Sequence, residues 1–199
     1  LNMANHIVLD IETQNLFSDV GGKENLTSLL LSVAGVYSYA DNSFLTFTES
    51  QMPDFENLLK KTDLIIGFNI NHFDLPVLEK YLAIDLSKIP SLDIMDEVIN
   101  TMGHRVSLDD LLTSTLGKRK SGSGLLAVQY WREGKMAELE KYCLDDVRLT
   151  RDLYEHGLKN GEIKFTARDA NLPYIKILKV NWAKYTGFKI ETTWTPSLF

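Results

Sequence analysis

Ile7-Val8-Leu9-Asp10-Ile11-Glu12-Thr13 decides how this chain reads. Ile7 to Ile11 has the apolar content of a buried strand, yet it carries an acid, and a second acid follows two residues later. Strand side chains alternate between faces, so Asp10 and Glu12 leave the same face, roughly 6.6 Å apart along the chain. That spacing suits two carboxylates converging on one divalent ion. A strand end turning its polar face to water reads the same way, so the pair alone leaves both open.

Two more acids stand against apolar runs. Leu64-Ile65-Ile66-Gly67-Phe68 fits a strand covered on both faces, and Asn69-Ile70-Asn71-His72-Phe73-Asp74 follows it. Asp74-Leu75-Pro76 then starts a helix through Tyr81, with proline in the first turn, where it is tolerated. Capping that helix is an alternative use of Asp74, and turn formation an alternative use of Asn69 and Asn71. The longest helix is predicted from about Met136 to Leu158. Within it Leu139, Tyr142, Asp146, Leu149 and Leu153 fall at spacings of 3, 4, 3 and 4, which makes one face. Asp146 therefore points where leucines point, while Asp145 points about 100° away, toward solvent. Tyr142 shares the face of Asp146 one turn earlier, where a core aromatic would also sit. An acid in such surroundings is costly unless it is paired or bound to a metal. Brought together, Asp10, Glu12, Asp74 and Asp146 would repel one another and need cations, as in a two-metal phosphoryl-transfer site.

Around these motifs, Leu29 to Tyr39 and Phe44 to Phe47 read as strands joined at Asp41-Asn42. Pro53-Asp54 opens a short helix containing Phe55, Leu58 and Leu59. Ser107-Leu108-Asp109-Asp110 is a capping signal, and Gly117 closes the helix it starts. Lys118 to Gly124 is a basic, flexible loop. After Gly161, Ile163-Lys164-Phe165 and Ile175 to Val180 suggest a hairpin. Strands mixed with helices, then a helical half, imply an α/β domain with a mixed central sheet flanked by helices over residues 3–160. Residues 161–199 are expected to form an extension packed on it, with extending a substrate channel and docking a partner as the other uses left open, and Trp182 and Trp194 are either stacking or core residues.

At 199 residues the chain suits one domain with a sizeable core. No stretch approaches ~18 uninterrupted apolar residues, so no membrane span is expected. The N-terminal residues lack the basic-then-apolar layout of a signal peptide. The single Cys143 excludes an internal disulfide and points to a reducing, cytoplasmic setting. The net charge of −6 argues at first against a nucleic-acid partner. Its distribution argues otherwise: residues 1–117 carry 17 acids and 6 bases, whereas residues 118–199 carry 10 acids and 15 bases. Such asymmetry can mark a nucleic-acid surface or simply reflect solvated faces.

The motifs together resemble the DEDD superfamily of 3′→5′ exonucleases, which have a ribonuclease H-like fold. Asp10-x-Glu12 matches the first motif. Gly67 to Pro76 is similar to the second exonuclease motif of family B DNA polymerases. Tyr142-x-x-x-Asp146 matches the tyrosine-type third motif; the histidine-type variant needs a histidine at position 141, where this chain has Lys141. The likeness is closest to bacterial exonucleases related to the polymerase proofreading domain, which occur alone or beside helicases, and it spans roughly residues 5–158.

The resemblance implies two Mg²⁺ or Mn²⁺ ions about 3.5–4 Å apart, held by Asp10, Glu12, Asp146 and, partly through water, Asp74. It also implies that Tyr142 orients the attacking water and that 5′-mononucleotides are released. The scattered His6, His72, His104 and His156 offer no zinc cluster. A single-stranded 3′ end needs stacking and phosphate contacts. Thr13, Asn69 and Phe73 are candidates beside the acids, and Lys118, Arg119 and Lys120 for the backbone. A core role for Phe73 and a plain solvated loop stay open. The expected partner is single-stranded nucleic acid, DNA before RNA, with a helicase or repair protein as a possible associate and no membrane. The alternatives are an exoribonuclease of the RNase D type, or a silent binding module of a repair complex. A silent module should gain no thermal stability from Mn²⁺.

Overall fold

The computed structural model describes residues 5–169 and 172–186. Five strands form the central sheet in the order β3-β2-β1-β4-β5. β1 (His6–Thr13), β2 (Leu31–Ser38) and β3 (Ser43–Phe47) form an antiparallel meander. β4 (Leu64–Gly67) joins β1 in parallel through His6↔Leu64 to Val8↔Ile66, and β5 (Ser91–Asp93) extends the parallel side. The sheet is thus mixed and flanked by helices, as the sequence implies.

β1 sorts its residues between two apolar layers by simple alternation. Ile7, Leu9 and Ile11 pack on α1 (Met52–Leu59) and α2 (Asp74–Leu78). Val8 packs with α4 (Leu108–Leu116), the 25-residue α6 (Met136–Asn160) and residues of the C-terminal hairpin. Asp10 and Glu12 have the parity of Val8 and therefore face α6. Gly35, opposite Asp10 in the β1–β2 register, lets α6 settle there, since a Cβ on it would meet Cys143 Sγ at 2.7 Å.

The hairpin pairs β6 (Glu162–Asp169) with β7 (Leu172–Lys179). Ile163, Phe165, Leu178 and Trp182 point into the same cluster as Val8. Trp182 is core, stacked on Tyr154 at 5.8 Å; Trp194 lies outside the described residues. Three helices and a strand went unread in the sequence: β5, α3 (Ile94–Met102), α5 (Gly124–Arg132) and the four-residue α7 (Ala183–Thr186). β5 has three residues, too few to show alternation. α5 starts on Gly124 without a side-chain cap, so its onset has no local signature. The helix expected over 74–81 is α2 to Leu78, continued by a 3-10 turn over Glu79–Tyr81. Among the described residues no helix is long and apolar enough to cross a membrane.

Candidate metal centre and nucleic-acid interface

β1 outruns its parallel neighbour. Its ladder with β4 ends at Val8↔Ile66, so the Ile11 N–H has no strand to donate to. Asp74 takes that donor through Oδ1 at 2.9 Å, across 63 residues of sequence. The helix-capping alternative for Asp74 is thereby corrected: Phe73 holds the N-cap position, and the carboxylate turns to β1. Gly67 allows the close turn, because a Cβ there would meet the Leu9 carbonyl oxygen at 2.9 Å.

Asp10 and Glu12 from β1 meet Asp146 from α6, with one carboxylate oxygen of each within 4.8 Å of the others. Asp146 is 1 % exposed and Asp74 3 %. Burial raises the pKa of Asp10, and the charges of Asp146, Glu12 and Asp74 raise it further. Burial with Asp146 beside it pushes Glu12 up to about 8. Asp74 is pushed up to about 7 by burial, against the bond from Ile11 N–H that favours its ionised form. Asp146 is raised by burial even though Lys120 pulls it down.

Tyr142 stands beside Asp146 on the same face of α6, packed among Val33, Ala127, Leu139 and Cys143. Its hydroxyl faces Asp146, and both that hydroxyl and Asp146 Oδ1 are buried with no hydrogen bond of normal geometry. Burial and the neighbouring Asp146 raise the tyrosine pKa, so the hydroxyl stays protonated near neutral pH. Orphaned polar atoms in an all-oxygen donor set fit a hard divalent cation. The residues present therefore suit the metal that the sequence motifs imply.

The expected basic loop divides in three. Lys120 reaches into the cluster, its Nζ 2.6 Å from Asp146 Oδ2, while its backbone N–H donates to Asp109. Lys118 turns away to Asp152 at 2.7 Å. Arg119 is exposed. The Thr13 hydroxyl is spent internally on the Asn15 carbonyl at 2.9 Å. His72 sits on the surface, 2.8 Å from Asp96.

Asn69 and Phe73 line a cleft of about 540 Å³ together with Phe17, Lys23, His72 and Arg105. Phe73 meets Phe17 edge to face at 5.8 Å. Asn69 adopts a left-handed conformation, φ 67°, and its side-chain oxygen accepts from Arg105. Sequence reasoning missed what holds this turn. Asp93 accepts from the N–H groups of Asn69, Asn71 and Met95 at 2.7, 3.0 and 2.9 Å. Its one local signal is the N-cap it supplies to α3.

Comparison with known families matches residues 7–157 to the model of the RNase H superfamily. No curated protein matches the chain.

Proposed function

The chain belongs to the RNase H superfamily, and on that premise we propose that it is a tyrosine-type 3′→5′ exonuclease that trims single-stranded DNA with Mg²⁺ or Mn²⁺. Family membership and the acidic cluster point to a metal-dependent nuclease. The observation that carries the finer reading is the place of the Tyr142 hydroxyl, one helical turn from Asp146 and in the field of Asp146, Glu12 and Asp10.

Asp10, Glu12 and Asp146 are the residues that would hold the ions, with Asp74 fixed beside them by the Ile11 N–H. Divalent ions bound there supply Lewis acidity and a hydroxide-like nucleophile near neutral pH. Tyr142, kept protonated, acts as a hydrogen-bond donor that orients the attacking water rather than as a base. Lys120 neutralises the acids until a cation competes for Asp146, and its ammonium then serves a non-bridging phosphate oxygen. Phe73 and Phe17 offer aromatic surface to the terminal bases, and Lys23 and Arg105 offer charge.

The deciding experiment is digestion of 5′-labelled single-stranded DNA and RNA with Mg²⁺ or Mn²⁺, with Asp146→Ala protein as control. A ladder shortening from the 3′ end, absent in the control, is the expected outcome, and the faster polymer identifies the substrate. Internal cuts, or no metal-dependent cleavage, would remove the exonuclease reading.

A further inference from the structure

Arg105 lines two clefts at once. One is the cleft of Phe17 and Phe73, the residue before Asp74. The other, about 440 Å³, lies between the connection from α3 to α4 and the C-terminal hairpin, lined among others by His104, Phe165, Thr166, Tyr174 and Lys176. The two clefts therefore adjoin at a single side chain.

β7 supplies the far wall by alternation. Leu178 points into the core, so Tyr174 and Lys176 lie on that same inward-turned face, yet both are exposed because they overhang the groove. Tyr174 is 48 % exposed. Among the described residues neither Arg105 nor Lys176 has a carboxylate partner, and the one contact of the Arg105 side chain is the neutral amide of Asn69. Asp110, the acid lining this groove, is already spent on the Thr166 N–H and the Ser114 hydroxyl. Asp110 keeps its charge in those bonds, so the groove carries two cations against one acid, a net positive charge, beside an aromatic face. Those are the two features that hold single-stranded nucleic acid without reading its sequence. A protein partner would be expected to bring acids to pair with these cations, but it would have no use for a place adjoining the cleft of Phe17 and Phe73.

We infer that this hairpin groove is an accessory binding subsite for single-stranded nucleic acid, adjoining at Arg105 the cleft of Phe17 and Phe73. Phosphates upstream of the 3′ end lie against Arg105 and Lys176, and a base stacks on Tyr174. The inference rests on the proposed nuclease reading and adds a second, remote contact to it. It gives the hairpin a role beyond packing, and it makes affinity depend on strand length.

The test is fluorescence anisotropy with labelled oligothymidylates of about 4 and about 16 nucleotides, a range that brackets typical single-strand sites. It uses the full chain carrying Asp10→Asn to prevent cleavage. The longer strand is expected to bind more tightly. Tyr174→Ala should weaken the longer strand at least about fivefold and leave the shorter one unchanged, as loss of one stacked base predicts. Lys176→Gln should lower the salt slope of the longer strand by about 0.7. Both positions are exposed, so folding is not at stake. Length-independent affinity, or variants indistinguishable from the parent, would overturn the subsite. Mn²⁺-dependent hydrolysis of the p-nitrophenyl ester of thymidine 5′-monophosphate by the unsubstituted chain, which reaches only the acidic site, separates the two failures. Hydrolysis with unaltered variants removes the groove and keeps the nuclease. No hydrolysis with variant-sensitive affinity keeps the groove and removes the nuclease.

Discussion

The Lys120 ammonium stands 2.6 Å from Asp146 Oδ2, inside a cluster of four acids donated by three separate elements. This pair gives the carboxylates a cation of the protein's own. It connects the 118–123 loop directly to the site where a metal fits.

Lys120→Met should therefore destabilise the metal-free protein while strengthening its response to metal. Leaving a buried carboxylate without its partner costs about 1–3 kcal/mol. At this size that corresponds to a fall in Tm of roughly 2–10 °C. Mn²⁺ should raise the Tm of the variant by more than it raises that of the parent, because nothing competes for Asp146. Thermal melts with and without Mn²⁺ measure both; equal gains would show that Lys120 does not occupy the ion's ground.

Asp10→Asn keeps the side-chain shape and removes one of the repelling charges. The metal-free variant should melt no lower than the parent, whereas hydrolysis should fall by at least about 10²-fold, the several kcal/mol a metal supplies. The Mn²⁺-induced rise in Tm should shrink in parallel. Strong residual cleavage would displace Asp10 from the site.

Tyr142→Phe removes a buried hydroxyl that makes no hydrogen bond of normal geometry, so stability should hold or rise slightly. Turnover should drop about 10- to 10³-fold, with the Mn²⁺ response of the Tm intact. A rate equal to the parent's would mean the hydroxyl does nothing in the reaction.

The metal-free protein should lose stability as pH rises. Glu12 lies at about 8 and Asp74 at about 7, against ordinary values of 4.5 and 3.8. Raised values mean that the folded state holds these protons more tightly than the unfolded chain. Their contribution is fully present below about pH 4 and disappears as pH climbs through about 7 to 8. A divalent ion binds the ionised acids, so its stabilising effect should grow over the same window. Melting curves across pH in chelator and in Mn²⁺ should therefore diverge; parallel curves would contradict the burial of these two acids.

Asp93→Ala releases the N–H groups of Asn69, Asn71 and Met95 at once. Bonds to a charged acceptor are worth about 1.5–3 kcal/mol each, so a loss of at least about 3 kcal/mol is expected. Asp93→Asn, which keeps two of the acceptor's lone pairs, should recover part of the stability. If Asp93 positions the 69–74 turn, activity in Asp93→Asn should fall through KM more than kcat, since Asn69 and Phe73 line a cleft whose walls include none of Asp10, Glu12 and Asp146. A uniform loss explained by unfolding alone would reduce Asp93 to a helix cap.

Much of the centre was legible because it follows from local periodicity. A repeat of two puts Asp10 and Glu12 on one face, and a repeat of 3.6 puts Tyr142 and Asp146 on another, whatever the rest of the chain does. The cap at Ser107 and the stop at Gly117 were legible for the same reason: helix ends are written in adjacent residues. The mixed sheet followed from the order of strand and helix patterns.

Tertiary structure alone decided the contacts between distant segments. Whether Asp74 caps its own helix or reaches the Ile11 N–H depends on where β4 stops beside β1, 63 residues away. Which of Lys118, Arg119 and Lys120 enters the site depends on how their loop crosses α6. Arg105 joins two clefts because the loop after α3 folds between the 69–73 turn and the hairpin. Periodicity fixes the direction of a side chain relative to its own backbone, but what it meets there is set by packing between elements, which no local spacing encodes.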